Sequence, residues 1–218
     1  MKINSYKTCT AAAIVCAFSA PIFATAASAK DLATETYVAK LQPMNAVSTH
    51  HETTGTAKFE VHGDKLTITV NVKDAAPNTI HWQHFHGFKT DAAAECANQA
   101  ADTNSDGFVD LIETGPASGT TMVPFDDKPA AMDVAHGAYP KADIHGNYKY
   151  RKVVSLKALT AAFSKAFDGQ KLDLDKRVLI IHGVPADTKL PATVQSLGPI
   201  PAQVTLPIAC GKIERVNR

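Results

Sequence analysis

The chain is predicted to be mainly β, folding as an antiparallel Greek-key β-sandwich or barrel with one polar insertion and one short helix. Three observations lead there. Several short segments alternate apolar and polar side chains, an acid-rich stretch lies between two of them, and one later stretch repeats apolar residues at helical spacing.

Gly55 to Val61 (GTAKFEV) and Lys65 to Val72 (KLTITVNV) flank His62-Gly63-Asp64 and read as a hairpin. Leu66, Ile68, Val70 and Val72 alternate with Thr67, Thr69 and Asn71, which buries one face and wets the other. After Pro77, Thr79 to Phe88 (TIHWQHFHGF) reads as a third strand. Asp91 to Ala101 is alanine-rich and free of proline, so a short helix is expected there, and Gly115-Pro116 should stop any later helix after about one turn. Thr120 to Phe125 reads as a short strand, Asp126 to Asn147 as irregular, and Tyr148 to Leu156 as a strand again. Ser155 is placed to cap a helix in which Leu159, Phe163 and Phe167 recur on one face, with Gly169 as its stop. Arg177 to Val184 (RVLIIHGV) is a nearly continuous apolar strand, Pro185 to Pro201 loops out, and Val204 to Ile213 closes the sheet.

The chain starts like an exported protein. Lys2 and Lys7 precede an apolar run from Ala11 to Ala20, and Ala27-Ser28-Ala29 has the small residues of a signal-peptidase site, so cleavage is expected after Ala29 with periplasmic or secreted delivery. The expected organisation is a signal peptide at 1–29, an extension at 30–54, and a β domain at 55–218 with its insertion at about 90–116. Losing Lys2 and Lys7 from the 22 basic residues leaves 20 against 21 acidic ones. That balance gives no electrostatic case for nucleic acid, and no segment is apolar for long enough to span a membrane. Of four cysteines, Cys96 and Cys210 remain after cleavage, and an oxidising compartment favours their pairing. Ser118 lacks the strand-turn-helix context of a hydrolase nucleophile, and no phosphate-binding glycine loop occurs. The protein partner is not specified by any motif.

Asp102 to Glu113 (DTNSDGFVDLIE) places oxygen at the positions of an EF-hand-type calcium loop. Asp102, Asn104 and Asp106 would supply side-chain oxygens, Phe108 a carbonyl, Asp110 a direct or water-mediated oxygen, and Glu113 a bidentate carboxylate, with Gly107 at the sharp turn. No second loop of this pattern is present, which suits a structural calcium site better than a sensor.

Residues two apart in a strand share a face, so His84 and His86 should present paired imidazoles while Phe85 points away. A third imidazole, for which His182 is the natural candidate and His81 a possible fourth, would complete a copper or zinc site. At this point the chain resembles the copper-zinc superoxide dismutases and the related chordin-type (CHRD) domains. His84-Phe85-His86 resembles their copper-binding strand, Cys96 and Ala209-Cys210-Gly211 their disulfide cysteines, and His182 a later copper histidine. His136 and His145, with Pro140 between them, resemble two zinc ligands and imply a second metal position. The resemblance spans roughly Gly55 to Ile213 and implies a dismutase-like sandwich with the Cys96–Cys210 disulfide.

It also departs from the family. No histidine lies between His86 and His136 to bridge two metals, Tyr148 stands where a zinc-binding aspartate is expected, and Pro207 stands where an arginine would guide superoxide. The resulting expectation is an exported metal-binding protein with a structural calcium site and copper or zinc on histidines. The alternatives are an active copper-dependent superoxide dismutase and a CHRD-type interaction module.

Overall fold

The computed structural model describes Met1 and residues 33–216, so the signal sequence read at 1–29 lies outside the described residues apart from Met1. Among the described residues, eight strands are joined in one antiparallel order, β5-β4-β7-β8-β1-β2-β3-β6. They are β1 (Glu35–Pro43), β2 (Thr54–His62), β3 (Lys65–Lys73), β4 (Gln83–Gly87), β5 (Thr120–Pro124), β6 (Tyr148–Ser155), β7 (Val178–His182) and β8 (Pro207–Arg215). Sequence neighbours β2 and β3 form the expected hairpin, while β3·β6, β4·β7 and β8·β1 are joined by long connections.

The sheet curls so that its distant strands share one core. Phe59 of β2, Phe85 of β4 and Phe125 just beyond β5 meet at ring separations of 5.3, 5.8 and 4.5 Å, and Phe125 stacks on Tyr150 of β6 at 6.2 Å. Polar side chains tie the same ends together, with Tyr150 Oη donating to the Asp126 carbonyl at 2.9 Å and Tyr148 Oη to Gln83 Oε1 at 3.3 Å. The alternation in β3 is obeyed without exception: Leu66, Ile68, Val70 and Val72 are all buried.

A second, smaller core lies on the opposite face of β7 and β8. Val178, Ile180 and Cys210 pack there against Met44, Ala94, Ala97 and Val109. The insertion after β4 is therefore a cover laid over the outer face of the sheet. Cys96 and Cys210 fasten it as a disulfide, with Cα atoms 5.8 Å apart.

Four local expectations are corrected. The segment read as an extension contains β1, which sits between β8 and β2; its Ala39 and Leu41 point inward while Lys40 and Gln42 point outward, a short alternation that could have been read. The strand expected at Thr79 to Phe88 is confined to β4, because Ile80 instead forms an isolated bridge with Lys141. No α-helix forms at Asp91 to Ala101, where only a 3-10 turn at Gln99–Ala101 occurs. Its backbone is used across the fold, Ala94 N–H bonding to Lys176 O at 3.0 Å and Glu95 N–H to Ala117 O at 2.9 Å, which outweighs alanine's helical preference.

The last correction concerns helices, since more than one short helix is present. A single turn, α1 (Ala46–Thr49), follows β1, and α2 (Leu111–Ser118) runs straight through Pro116. Proline there removes the N–H that would reach Ile112, a half-exposed residue whose carbonyl water can satisfy, so one missing bond does not end the helix. The expected helix is α3 (Leu156–Ala166), with Ser155 Oγ accepting from Ala158 N–H at 3.1 Å and Leu159 and Phe163 buried. A final turn, α4 (Ala202–Thr205), precedes β8.

Candidate metal centre

Alternation in β4 turns Phe85 into the main core and sends His84 and His86 to the outer face. In β7 the same rule puts Leu179 and Ile181 inside and His182 outside, and the β4–β7 register aligns His84 with Ile180 and His86 with Val178. The three imidazoles converge beneath the insertion, each offering a donor atom within 4.8 Å of the others. They are 3%, 0% and 2% exposed, so water does not solvate them. Among the described residues no other group of three His, Cys, Asp or Glu donors is this close.

Hydrogen bonds fix the protons. His182 Nδ1 lies 2.8 Å from the Thr205 carbonyl, which can only accept, so Nδ1 carries the proton and Nε2 the lone pair. His86 Nε2 is 3.2 Å from His182 Nε2 and 3.5 Å from Thr121 Oγ1. His86 Nδ1 and His84 Nδ1 are both buried without a hydrogen-bond partner. The Gly119 backbone acts on His86 in the sense of a hydrogen bond, but none of ordinary geometry reaches Nδ1. An unsatisfied buried polar atom costs about 1–3 kcal/mol, so two within one cluster mark a site built for something other than packing.

Burial depresses all three histidines. His84 and His86 fall well below the usual imidazole value, with repulsion from His182 as the next cause. His182 is pushed down to about 4, the Thr205 carbonyl pulling the other way. At neutral pH the triad is therefore uncharged, the form in which imidazole binds metal. Between about pH 6.5 and pH 4 the unfolded chain holds the extra protons, so this contribution to stability is complete above the unfolded value and declines as pH falls through that window. For His182 alone it amounts to roughly 3 kcal/mol. Thermal melts of metal-free protein should show Tm dropping steeply below pH 6.5, with His182→Gln flattening part of the slope; equal slopes in both proteins would contradict this.

The crevice reaching the triad is walled by Trp82, Leu111, Thr121, Val134, Leu197 and Thr205. Leu111, Thr121, Val134 and Leu197 continue into a shallower neighbouring pocket with Ile112 and Thr120. No charged side chain lines either one, among the described residues.

Other predicted ligands lie elsewhere. His81 is buried, but its Nδ1 and Nε2 each sit 3.2 Å from a backbone carbonyl, of His182 and Ala76, and its ring stacks on Tyr148. It supports the backbone at His182 and does not join the triad as a fourth ligand. His136 and His145 are exposed, His136 pairs with Asp133 at 2.9 Å, and neither belongs to a three-donor group.

In the 102–113 loop the carboxylates hold backbone N–H groups. Asp102 accepts from Asp106 and Gly107 at 3.1 and 3.0 Å, Asn104 and Asp106 accept at 2.9 Å from Asp106 and Phe108, and Glu113 accepts from Thr103 and Asp110. Asp110 caps α2 through Oδ1 and takes Gln195 N–H at 2.6 Å on Oδ2. The carbonyl and N–H of Val109 are both met by the side-chain amide of Asn45, at 2.9 and 2.7 Å, which anchors the loop to the chain beyond β1.

Sequence reasoning overlooked Thr205, Thr121, Trp82 and Asn45. None sits in a motif, and only the fold brings them to the site.

No family model matches this chain, and no curated protein matches it. Among solved structures, the Cu/Zn superoxide dismutase from Brucella abortus is similar at 20% identity and a TM-score of 0.38, over 83% of this chain and 100% of that one.

Proposed function

We propose that this chain is an exported metal-binding protein whose His84, His86 and His182 together hold one copper or zinc ion. The observation that carries the reading is the convergence of three uncharged, buried imidazoles within 4.8 Å, two of them with unpartnered nitrogens. Three nitrogen donors suit either metal, and Thr205 supplies the carbonyl that orients a ligand histidine through its other nitrogen. Bound copper would supply a one-electron couple and bound zinc a Lewis acid. The untagged protein, purified and dialysed, should retain about one equivalent of copper or zinc per chain by elemental analysis; a protein that takes up neither metal in titration rejects the reading.

Binding is favoured over dismutation by the uncharged walls of the crevice. Superoxide is an anion, and a cleft without positive charge does not concentrate it. Export is supported by the leader-like residues before Ala29 and by the Cys96–Cys210 disulfide, since such bonds persist in oxidising compartments.

We also infer a structural calcium ion at the 102–113 loop, supported by its residue spacing and by Asp102 closing the turn onto Asp106 and Gly107. Asp102, Asn104, Asp106, the Phe108 carbonyl and Glu113 would hold it, with Asp110, which also caps α2, as a direct or water-mediated ligand. Millimolar calcium should raise Tm in the intact protein and not in Asp102→Ala. An equal rise in both would remove the loop from consideration.

A further inference from the structure

We propose that Tyr139 is a positioning residue of the triad, its hydroxyl fixing His84 in the tautomer that leaves Nδ1 as the metal donor. The inference rests on the metal-binding reading above. Tyr139 Oη donates its single proton to the Val134 carbonyl at 2.9 Å. Toward His84 Nε2, 3.0 Å away, it can therefore only accept, so Nε2 carries the imidazole proton. In a neutral ring the lone pair is then on Nδ1, the buried atom that has no partner in the protein.

The ring of Tyr139 is itself held, stacked on Trp82 at 5.2 Å and edge-on to His84 at 5.4 Å. Trp82 also meets His84 edge-on at 5.9 Å. The 134–139 segment thus acts on His84 as Thr205 acts on His182, each supplying an oxygen to the ring nitrogen that does not face the metal. A ligand histidine held this way enters with its proton already placed.

Tyr139→Phe keeps the ring and removes only the oxygen. Long-range proton–nitrogen NMR on the metal-free protein at pH 7.5 reads the tautomer directly, independently of metal. His84 should be protonated at Nε2 in the parent and a mixture of tautomers in Tyr139→Phe, whose zinc affinity should fall by about 10- to 100-fold. Protonation at Nδ1 in the parent, or an unchanged tautomer and affinity in the variant, overturns the proposal. Titrating His84→Ala separates the two levels. Undiminished zinc affinity there rejects the metal reading itself, whereas a loss in His84→Ala beside an unchanged Tyr139→Phe rejects only the role of Tyr139. Circular dichroism matching the parent checks that each variant is folded.

Discussion

His86→Ala should lower the affinity for copper or zinc by more than about 100-fold, beyond what is typical for loss of an outer-shell partner. His86 is the fully enclosed member of the triad, with its Nε2 3.2 Å from His182 Nε2 and Thr121 Oγ1 across the strand pair at 3.5 Å. Removing the ring deletes one of three donors. Isothermal titration of the dialysed protein measures the effect. The metal-free variant should not be greatly destabilised, because the deletion also removes an orphaned nitrogen whose burial costs free energy. Loss of affinity with stability retained distinguishes a ligand from a core histidine; an affinity within threefold of the parent would falsify the triad as the site.

Replacing both cysteines with serine should lower unfolding stability by about 3–5 kcal/mol. The bond closes a sequence separation of 114 residues, and a loop of about that length restricts the unfolded chain strongly. Cys210 is also buried in the smaller core, and Cys96 fastens the segment that bonds through Glu95 to Ala117 and through Ala94 to Lys176. Against the 5–15 kcal/mol typical of a domain, the loss is a large share. Urea titration of oxidised parent and double variant measures it. The insertion carries Leu111, a wall of the crevice, so metal release should also quicken in the variant. A loss below about 1 kcal/mol would mean that the Glu95–Lys212 ion pair and the apolar contacts hold the cover unaided.

Local periodicity carried much of the fold. The two-residue period of β3, the outward pair His84 and His86 around an inward Phe85, and the Ser155-capped helix were all legible because each depends on neighbours a few residues away. The pairing of Cys96 with Cys210 and the candidacy of His182 were legible from the residues themselves as well as through a resemblance in residue order. The alternation in β1 was equally local but short, and the segment read as an extension.

What the residues before and after a site cannot state is which backbone groups are already engaged. Asp91 to Ala101 is alanine-rich, yet its N–H groups bond to Lys176 and Ala117, and a helix there would give those bonds up. His81 is as good a ligand in composition as His84, but its ring nitrogens face backbone carbonyls. By itself the sequence determined most of the strands, the parity of the histidines and the candidate donors, because side-chain direction follows backbone period. Only the tertiary structure decided that three of those histidines meet, that His81, His136 and His145 stand apart, and that Tyr139 and Thr205 set the protons. Those outcomes depend on register between strands far apart in the chain, where a shift of one residue turns every side chain to the other face.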